Sequence, residues 1–179
     1  MKLMAIDAST KSTGIAIYND KELIYYTCLT ATSPDLFRRI DKILAGITEL
    51  LDEYKIDTVA LEDVYIEDVH GNRKVFTALI YLQGFIMKLL NDYKIKPTLY
   101  TSSEWRKKCC IHTGRGVFRE SLKPKDIEFV RRQFGLAVND DIADAICLGF
   151  AATGGELKFD AGKSSSVELL SGEGFEFGI

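Results

Sequence analysis

Apolar positions along this chain begin in short runs and then fall into a longer rhythm. Lys2–Asp7, KLMAID, is a continuous apolar run that ends on an acid; Thr13–Asn19 and Glu22–Thr30 follow, joined by Asn19-Asp20-Lys21. Short runs with an Asn-Asp turn between them predict hairpins, so the first three strands form a meander. Leu36, Ile40, Ile43, Ile47, Leu50 and Tyr54 then recur at helical steps, with Phe37, Leu44 and Leu51 beside them. Pro34 puts the opening of that helix near Ser33. Strand character returns in IDTVALED, Ile56–Asp63, which again ends in acids. Val75–Asn91 is the next helix and KPTLYT, Lys96–Thr101, a short strand. Ser102 or Ser103 caps a helix that holds Trp105. Pro124 opens another through Phe134, and the last begins at Asn139 or Asp140 and runs to about Thr153. Antiparallel strands, then strands alternating with helices, predict an α/β fold: a mixed five-stranded sheet, a three-strand meander plus parallel strands, flanked by helices.

Composition sharpens this picture in two places. After Gly154 the chain turns rich in glycine and serine, with Ser164–Ser166 and Gly162, Gly172, Gly174 and Gly178. The expected division is therefore a folded domain over 1–153 and a flexible tail over 154–179. The formal net charge of −3 speaks weakly against a polyanionic partner, but its distribution speaks for one. Residues 104–132 hold nine Lys/Arg and four Asp/Glu, whereas 133–179 hold two and eight. Local patches, more than the total, steer a phosphate backbone. No stretch approaches the roughly 20 apolar residues of a membrane span, and the N-terminus reads straight into a strand with no visible signal peptide. Cys28, Cys109, Cys110 and Cys147 lack C-x-x-C spacing, which disfavours a zinc site or disulfide framework and fits a reducing cytoplasm.

The chemistry lies in acids placed where they are costly. Asp7 and Glu62 end two strands, and sites gather at the carboxyl ends of strands in open α/β sheets. Asp141 and Asp144, three apart, share one face of the helix NDDIADAICLGFAA, which is apolar nearly all round and should be buried. Buried unpaired carboxylates protonate or cost several kcal/mol; a divalent cation resolves the conflict, and oxygen ligands suit Mg2+ or Mn2+. Simpler readings exist residue by residue. Asp7 alone could satisfy the turn that follows it, and Glu62 could pair with a basic side chain. Asp63 points to the opposite face as a solvated or salt-bridged acid, and Asp140 reads as an N-cap rather than a ligand. Asp144 has no such excuse, one turn inside a greasy helix. Two ions in a carboxylate cage hydrolyse phosphodiesters. No G-x-x-x-x-G-K-[ST] or H-E-x-x-H occurs, and His70 and His112 fall in polar, looped stretches. Arg106, Lys107, Arg115, Arg119 and Lys123 are placed to follow a phosphate backbone. Trp105 reads as core, and Tyr65, just past Glu62, could stack on an exposed base.

Four stretches, AIDASTKSTGIAI, VALEDVY, TSSEWRKKC and DDIADAICLG, occur in this order. Over residues 1–153 the chain resembles RuvC-type Holliday-junction resolvases of the RNase H-like superfamily, most of all their phage-encoded branched-DNA relatives. The resemblance implies an RNase H-like sheet and a homodimer that cleaves four-way or other branched DNA, with two Mg2+ or Mn2+ ions per site and water as nucleophile. By motif it makes Asp7, Glu62, Asp141 and Asp144 the catalytic, metal-binding tetrad. Asp141 takes the third place because the family's two late positions are three apart and followed by Ala. Tyr65 matches the aromatic that stacks at the crossover, and Arg106 and Lys123 match basic DNA contacts. The helix carrying YLQGF matches the dimer helix, with Gly84 allowing close packing. The sequence departs at Asp7-Ala8-Ser9, where the family has glycine. Two other readings stand beside this one. DASTKSTG also resembles the phosphate hairpin of actin-like and sugar-kinase phosphotransferases, and a non-cleaving junction binder would share the basic segment. A cytoplasmic location, at the nucleoid or in a phage host, follows from the nuclease reading.

Overall fold

A computed structural model describes residues 1–65, 72–111 and 119–159, with residues 119 and 120 described by backbone alone. The three predicted opening strands are β1 (Lys2–Asp7), β2 (Ser12–Asn19) and β3 (Glu22–Thr30), followed by α1 (Leu36–Tyr54) and β4 (Thr58–Glu62). Then come α2 (Arg73–Asp92), β5 (Thr98–Tyr100), α3 (Ser102–Lys108), α4 (Arg119–Phe134) and α5 (Asp140–Ala152). The five strands lie in the order β3-β2-β1-β4-β5. β1 pairs antiparallel with β2 and parallel with β4, β2 pairs antiparallel with β3, and β4 pairs parallel with β5. The expected mixed sheet is present.

Side-chain alternation along the central strand divides the core into two layers. Met4 and Ile6 pack with Ile40, Ile43, Ile47, Leu82 and Ile86 of α1 and α2. Leu3 and Ala5 face the other way, onto Trp105, Phe129, Val130 and the apolar length of α5. Ala143–Ala151 of α5 is buried throughout. That helix lies on β1 and β2 with almost no backbone clearance: a Cβ at Gly14 would stand 1.9 Å from the carbonyl oxygen of Asp141. Tyr18 anchors the same contact from the sheet, its buried hydroxyl donating to the Ile146 carbonyl at 2.7 Å.

Several helix starts differ from their predicted places, each for a local reason, whereas α5 opens at Asp140, where it was expected. α1 is capped by Asp35, which accepts from the Arg38 amide, while Ser33 instead accepts from the Asp35 amide. α3 is capped by Thr101, not Ser102 or Ser103; Thr101 and Glu104 form a reciprocal capping box. α4 begins at Arg119, so Pro124 lies inside it, just past the first turn, where it forgoes a single helical hydrogen bond. α5 is capped by Asn139, whose side chain accepts from the Ile142 amide; Asp140 is not the cap. The packed fold also reaches past residue 153. Gln133 of α4 donates to the Glu156 carbonyl and accepts from the Lys158 amide, and Phe159 sits edge-on against Phe129. Residues 160–179 of the expected tail lie outside the described residues. Among the described residues no helix is long and apolar enough to cross a membrane.

Candidate metal centre

β1 and β4 run parallel in a register that pairs Leu3 with Thr58 and Ile6 with Leu61. One residue further on, Asp7 and Glu62 therefore stand side by side at the ends of strands about 5 Å apart. Alternation turns both toward α5, since Leu3, Ala5 and Ala60 already face that layer. Asp63 turns to the opposite layer, as expected. It is half-buried there, and its Oδ1 accepts from Gln83 Nε2 and from the Val64 amide, each at 3.0 Å.

The other two predicted carboxylates come from the first two turns of α5. Asp141 Oδ2 accepts a short hydrogen bond from Ser12 Oγ on β2, and that hydroxyl also lies 3.0 Å from Cys28 Sγ. Asp144 is deeper, 6% exposed. Its Oδ2 is 3.5 Å from Arg106 Nη2, and its Oδ1 is buried with no hydrogen-bond partner. Burial above all, then the negative charges of Asp7 and Asp126, pushes the Asp144 carboxyl up to about 9, against the opposing pull of Arg106. A buried acid oxygen without a donor, on a carboxyl under the charges of other acids, marks a place short of positive charge.

The residues fit a divalent ion. Asp7, Glu62, Asp141 and Asp144 are all hard oxygen donors, and Asp144 Oδ1 has a lone pair that no protein group uses. Among the described residues, however, no three acid, histidine or cysteine side chains already stand in the spacing of a metal cage. Neighbours already hold some of them: Glu62 Oε2 accepts from Trp105 Nε1 at 2.8 Å, and Asp141 accepts from Ser12.

The predicted nucleic-acid contacts separate into three groups. Tyr65 is 44% exposed, three residues past Glu62, and Lys107 is exposed on α3. Lys123 reaches the rim of the site, where its ammonium pairs with Asp140. That contact raises the lysine's pKa and lowers the aspartate's. Arg106 is a correction. It is 4% exposed and turned inward: Nε and Nη2 grip Asp126 of α4 at 2.9–3.2 Å, and its guanidinium lies 4.1 Å from the centre of the Trp105 ring. A guanidinium committed in this way does not face a DNA surface. Arg115, His70 and His112 lie outside the described residues, as does the side chain of Arg119.

Three participants escaped the sequence reading. Trp105 is core, as expected, but its indole N–H also holds Glu62. Ser12, in the Ser/Thr-rich turn after β1, holds Asp141. Asp126 left a readable signal: it falls three or four positions from Leu122, Phe129 and Val130, on a buried stripe that continues to Gln133. The turn after β1 is closed on itself, with Thr13 Oγ1 donating to the Ser9 carbonyl at 2.6 Å and accepting from the Ser9 amide. With Ser12 engaged by Asp141, two of the hairpin's four hydroxyls, those of Ser12 and Thr13, already donate within the protein.

Comparison with known proteins agrees with this geometry. A RuvC crossover junction endodeoxyribonuclease from Ehrlichia ruminantium is 28% identical over 158 residues, covering 82% of this chain and 95% of the relative. Among solved structures, Thermus thermophilus RuvC in complex with a Holliday junction substrate aligns with a TM-score of 0.68 at 16% identity, over 86% of this chain and 93% of that one. The fowlpox virus resolvase, solved with Holliday junction DNA, aligns with a TM-score of 0.56 at 18% identity, over 86% of this chain and 97% of that one. The family model described as Lactococcus phage M3 protein, DUF3882, matches residues 1–152. The chain therefore belongs to that family, and it is RuvC-like in sequence and in fold.

Proposed function

We propose that this protein is a structure-selective DNA endonuclease that resolves Holliday junctions or other branched DNA by metal-dependent phosphodiester hydrolysis. The observation that carries the reading is the meeting of Asp7 and Glu62 at adjacent strand ends with α5 above them, where Asp144 Oδ1 is buried without a partner. Asp7, Glu62, Asp141 and Asp144 would hold the ions, and Mg2+ or Mn2+, two per site, suits their oxygen chemistry. When bound, such ions activate water and stabilise the leaving oxygen. The chain's own residues position the ligands. Ser12 orients Asp141, Trp105 orients Glu62, and the apolar length of α5 keeps bulk water from Asp144. Tyr65 offers a ring on which a base at the branch point stacks. Lys107, Lys123, Arg115 and Arg119 supply phosphate contacts, and for Lys123 this means exchanging Asp140 for a phosphate. The names of the relatives, crossover junction endodeoxyribonucleases, support the same reaction.

The active form is a homodimer, cutting opposed strands from two sites. Its support is an apolar face shared by α1 and α2: Phe37, Ile80, Tyr81 and Phe85 are each 40–54% exposed, and Phe37 stacks on Tyr81. Gly84, amid them, has nothing within 4 Å of where a Cβ would be. Such a patch on a small domain marks an interface. A cytoplasmic place of work follows from the DNA substrate and is supported by four cysteines that are free thiols.

The test is incubation of the protein with a synthetic four-way junction in Mg2+ or Mn2+, with Asp7→Asn as control. Paired nicks that vanish in the variant are expected. Nicks that persist in it, or the absence of cleavage on every branched substrate, defeat the reading. Binding without cleavage in either metal would leave a junction binder.

A further inference from the structure

α3 touches the proposed metal site at two points. Two consecutive residues of α3, Trp105 and Arg106, touch two of the four carboxylates, which come from different elements: Trp105 donates to Glu62, and Arg106 approaches Asp144. A cation 3.5 Å from Asp144 Oδ2 is an obstacle to a metal ligand, because it competes with a divalent ion for the same oxygen. Yet Arg106 does not close on Asp144. Three of its hydrogen bonds, at 2.9, 3.1 and 3.2 Å, go to Asp126, and only the long 3.5 Å contact goes to Asp144. Asp126 is completely buried and thus has no solvent screening to weaken its hold. The Trp105 ring covers the guanidinium from another side.

We propose that Asp126 is a positioning residue for the metal site: by gripping Arg106 it restrains the guanidinium from a full ion pair with Asp144 and leaves that carboxylate available to a divalent cation. This rests on the metal-dependent reading above. The Arg106–Asp126 pair brings no net charge to the site, so it costs little in cation attraction while its packing keeps α3 and α4 against α5. Loss of the Asp126 charge alone frees one whole positive charge to move onto Asp144. Loss of both partners removes the competitor.

The test is Mn2+ binding, read by electron paramagnetic resonance and by calorimetry on the full chain without DNA. In Asp126→Asn, Mn2+ affinity falls by at least about tenfold, a conservative expectation for a unit charge released a few ångströms from the ligand. In the double variant Arg106→Met with Asp126→Leu, affinity returns to within about threefold of wild type or exceeds it. That variant also guards against a folding defect, because apolar replacement of a whole buried ion pair is tolerated where removal of one partner is not. A purely structural role for the pair predicts that the double variant binds as weakly as the single one, and that result overturns the proposal. So does unchanged affinity in a folded Asp126→Asn. If the wild type binds no Mn2+, both this inference and the metal-dependent reading fall; if it binds and the variants match it, only this inference does.

Discussion

Replacing Gly14 with alanine tests how tightly the fold fixes the site. Gly14 is the partner of Asp7 across the β1–β2 ladder. A methyl group there would meet the Asp141 carbonyl oxygen at 1.9 Å, its carbonyl carbon at 2.7 Å and the Ala145 Cβ at 3.2 Å. The first two are backbone atoms at the start of α5, so no side-chain rotation relieves the contact. Reaching even 3.0 Å from that oxygen needs a separation of about 1.1 Å between strand and helix, the difference between 3.0 and 1.9 Å. Asp141 and Asp144 ride on the helix that moves, whereas Asp7 stays with the strand. Overpacking of this kind costs about 1–3 kcal/mol, and misplacing reacting groups by about 1 Å slows a reaction by about 100-fold. Urea denaturation should show the stability loss, and single-turnover junction cleavage at saturating Mg2+ should show the rate loss. A stability within about 0.5 kcal/mol of wild type together with an unchanged cleavage rate would refute the claim that this contact sets the spacing of the acids.

Three further outcomes follow from the same geometry. Asp144→Asn should abolish cutting while junction binding, followed by gel retardation, stays intact or tightens, because a negative charge leaves the neighbourhood of phosphates; full activity in the variant would remove Asp144 from the tetrad. In EDTA the melting temperature should fall as pH rises from 5 to 9. The folded state raises the Asp144 carboxyl to about 9 and so holds a proton that the unfolded chain has released, giving stability that is complete below the ordinary carboxylate range and lost on approach to the folded value. Asp144→Asn should flatten that slope, and a flat wild-type profile would contradict the assigned burial. Phe85→Asp should convert the dimer to monomer in sedimentation velocity, since a charge is placed amid Phe37, Ile80 and Tyr81; an unchanged sedimentation coefficient would move the interface elsewhere.

The sheet was legible in the sequence because β1 and β4 are buried on both faces and therefore read as unbroken apolar runs. Their terminal acids were legible as misfits for the same reason, and so was Asp144 in a helix with no polar face. Helix openings were harder. Pro34 and Pro124 looked like first-turn residues, but Pro34 lies just before the cap Asp35, and Pro124 lies inside α4, where its missing N–H costs a helical hydrogen bond. Basic residues were the least legible. Arg106 and Lys107 are adjacent and chemically alike, yet one is buried and the other exposed, because a helix turns successive side chains about 100° apart. What decides which one turns inward is the position of Asp126, on a separate helix later in the chain. Pairing across elements is a property of the packed fold, which local pattern does not encode.

The place of α5 in the chain has a bearing on synthesis. Asp7 and Glu62 leave the ribosome early, on strands that can pair while later residues are still being made. Asp141 and Asp144 follow only with the last helix of the described fold, and they meet the sheet through contacts of long sequence separation, which form late. A nascent chain thus carries two of the four proposed ligands, Asp7 and Glu62, without the other two, and the proposed metal site is complete only once α5 has docked. On the proposed assignment of the four acids, the growing polypeptide spares nearby DNA until that helix has docked.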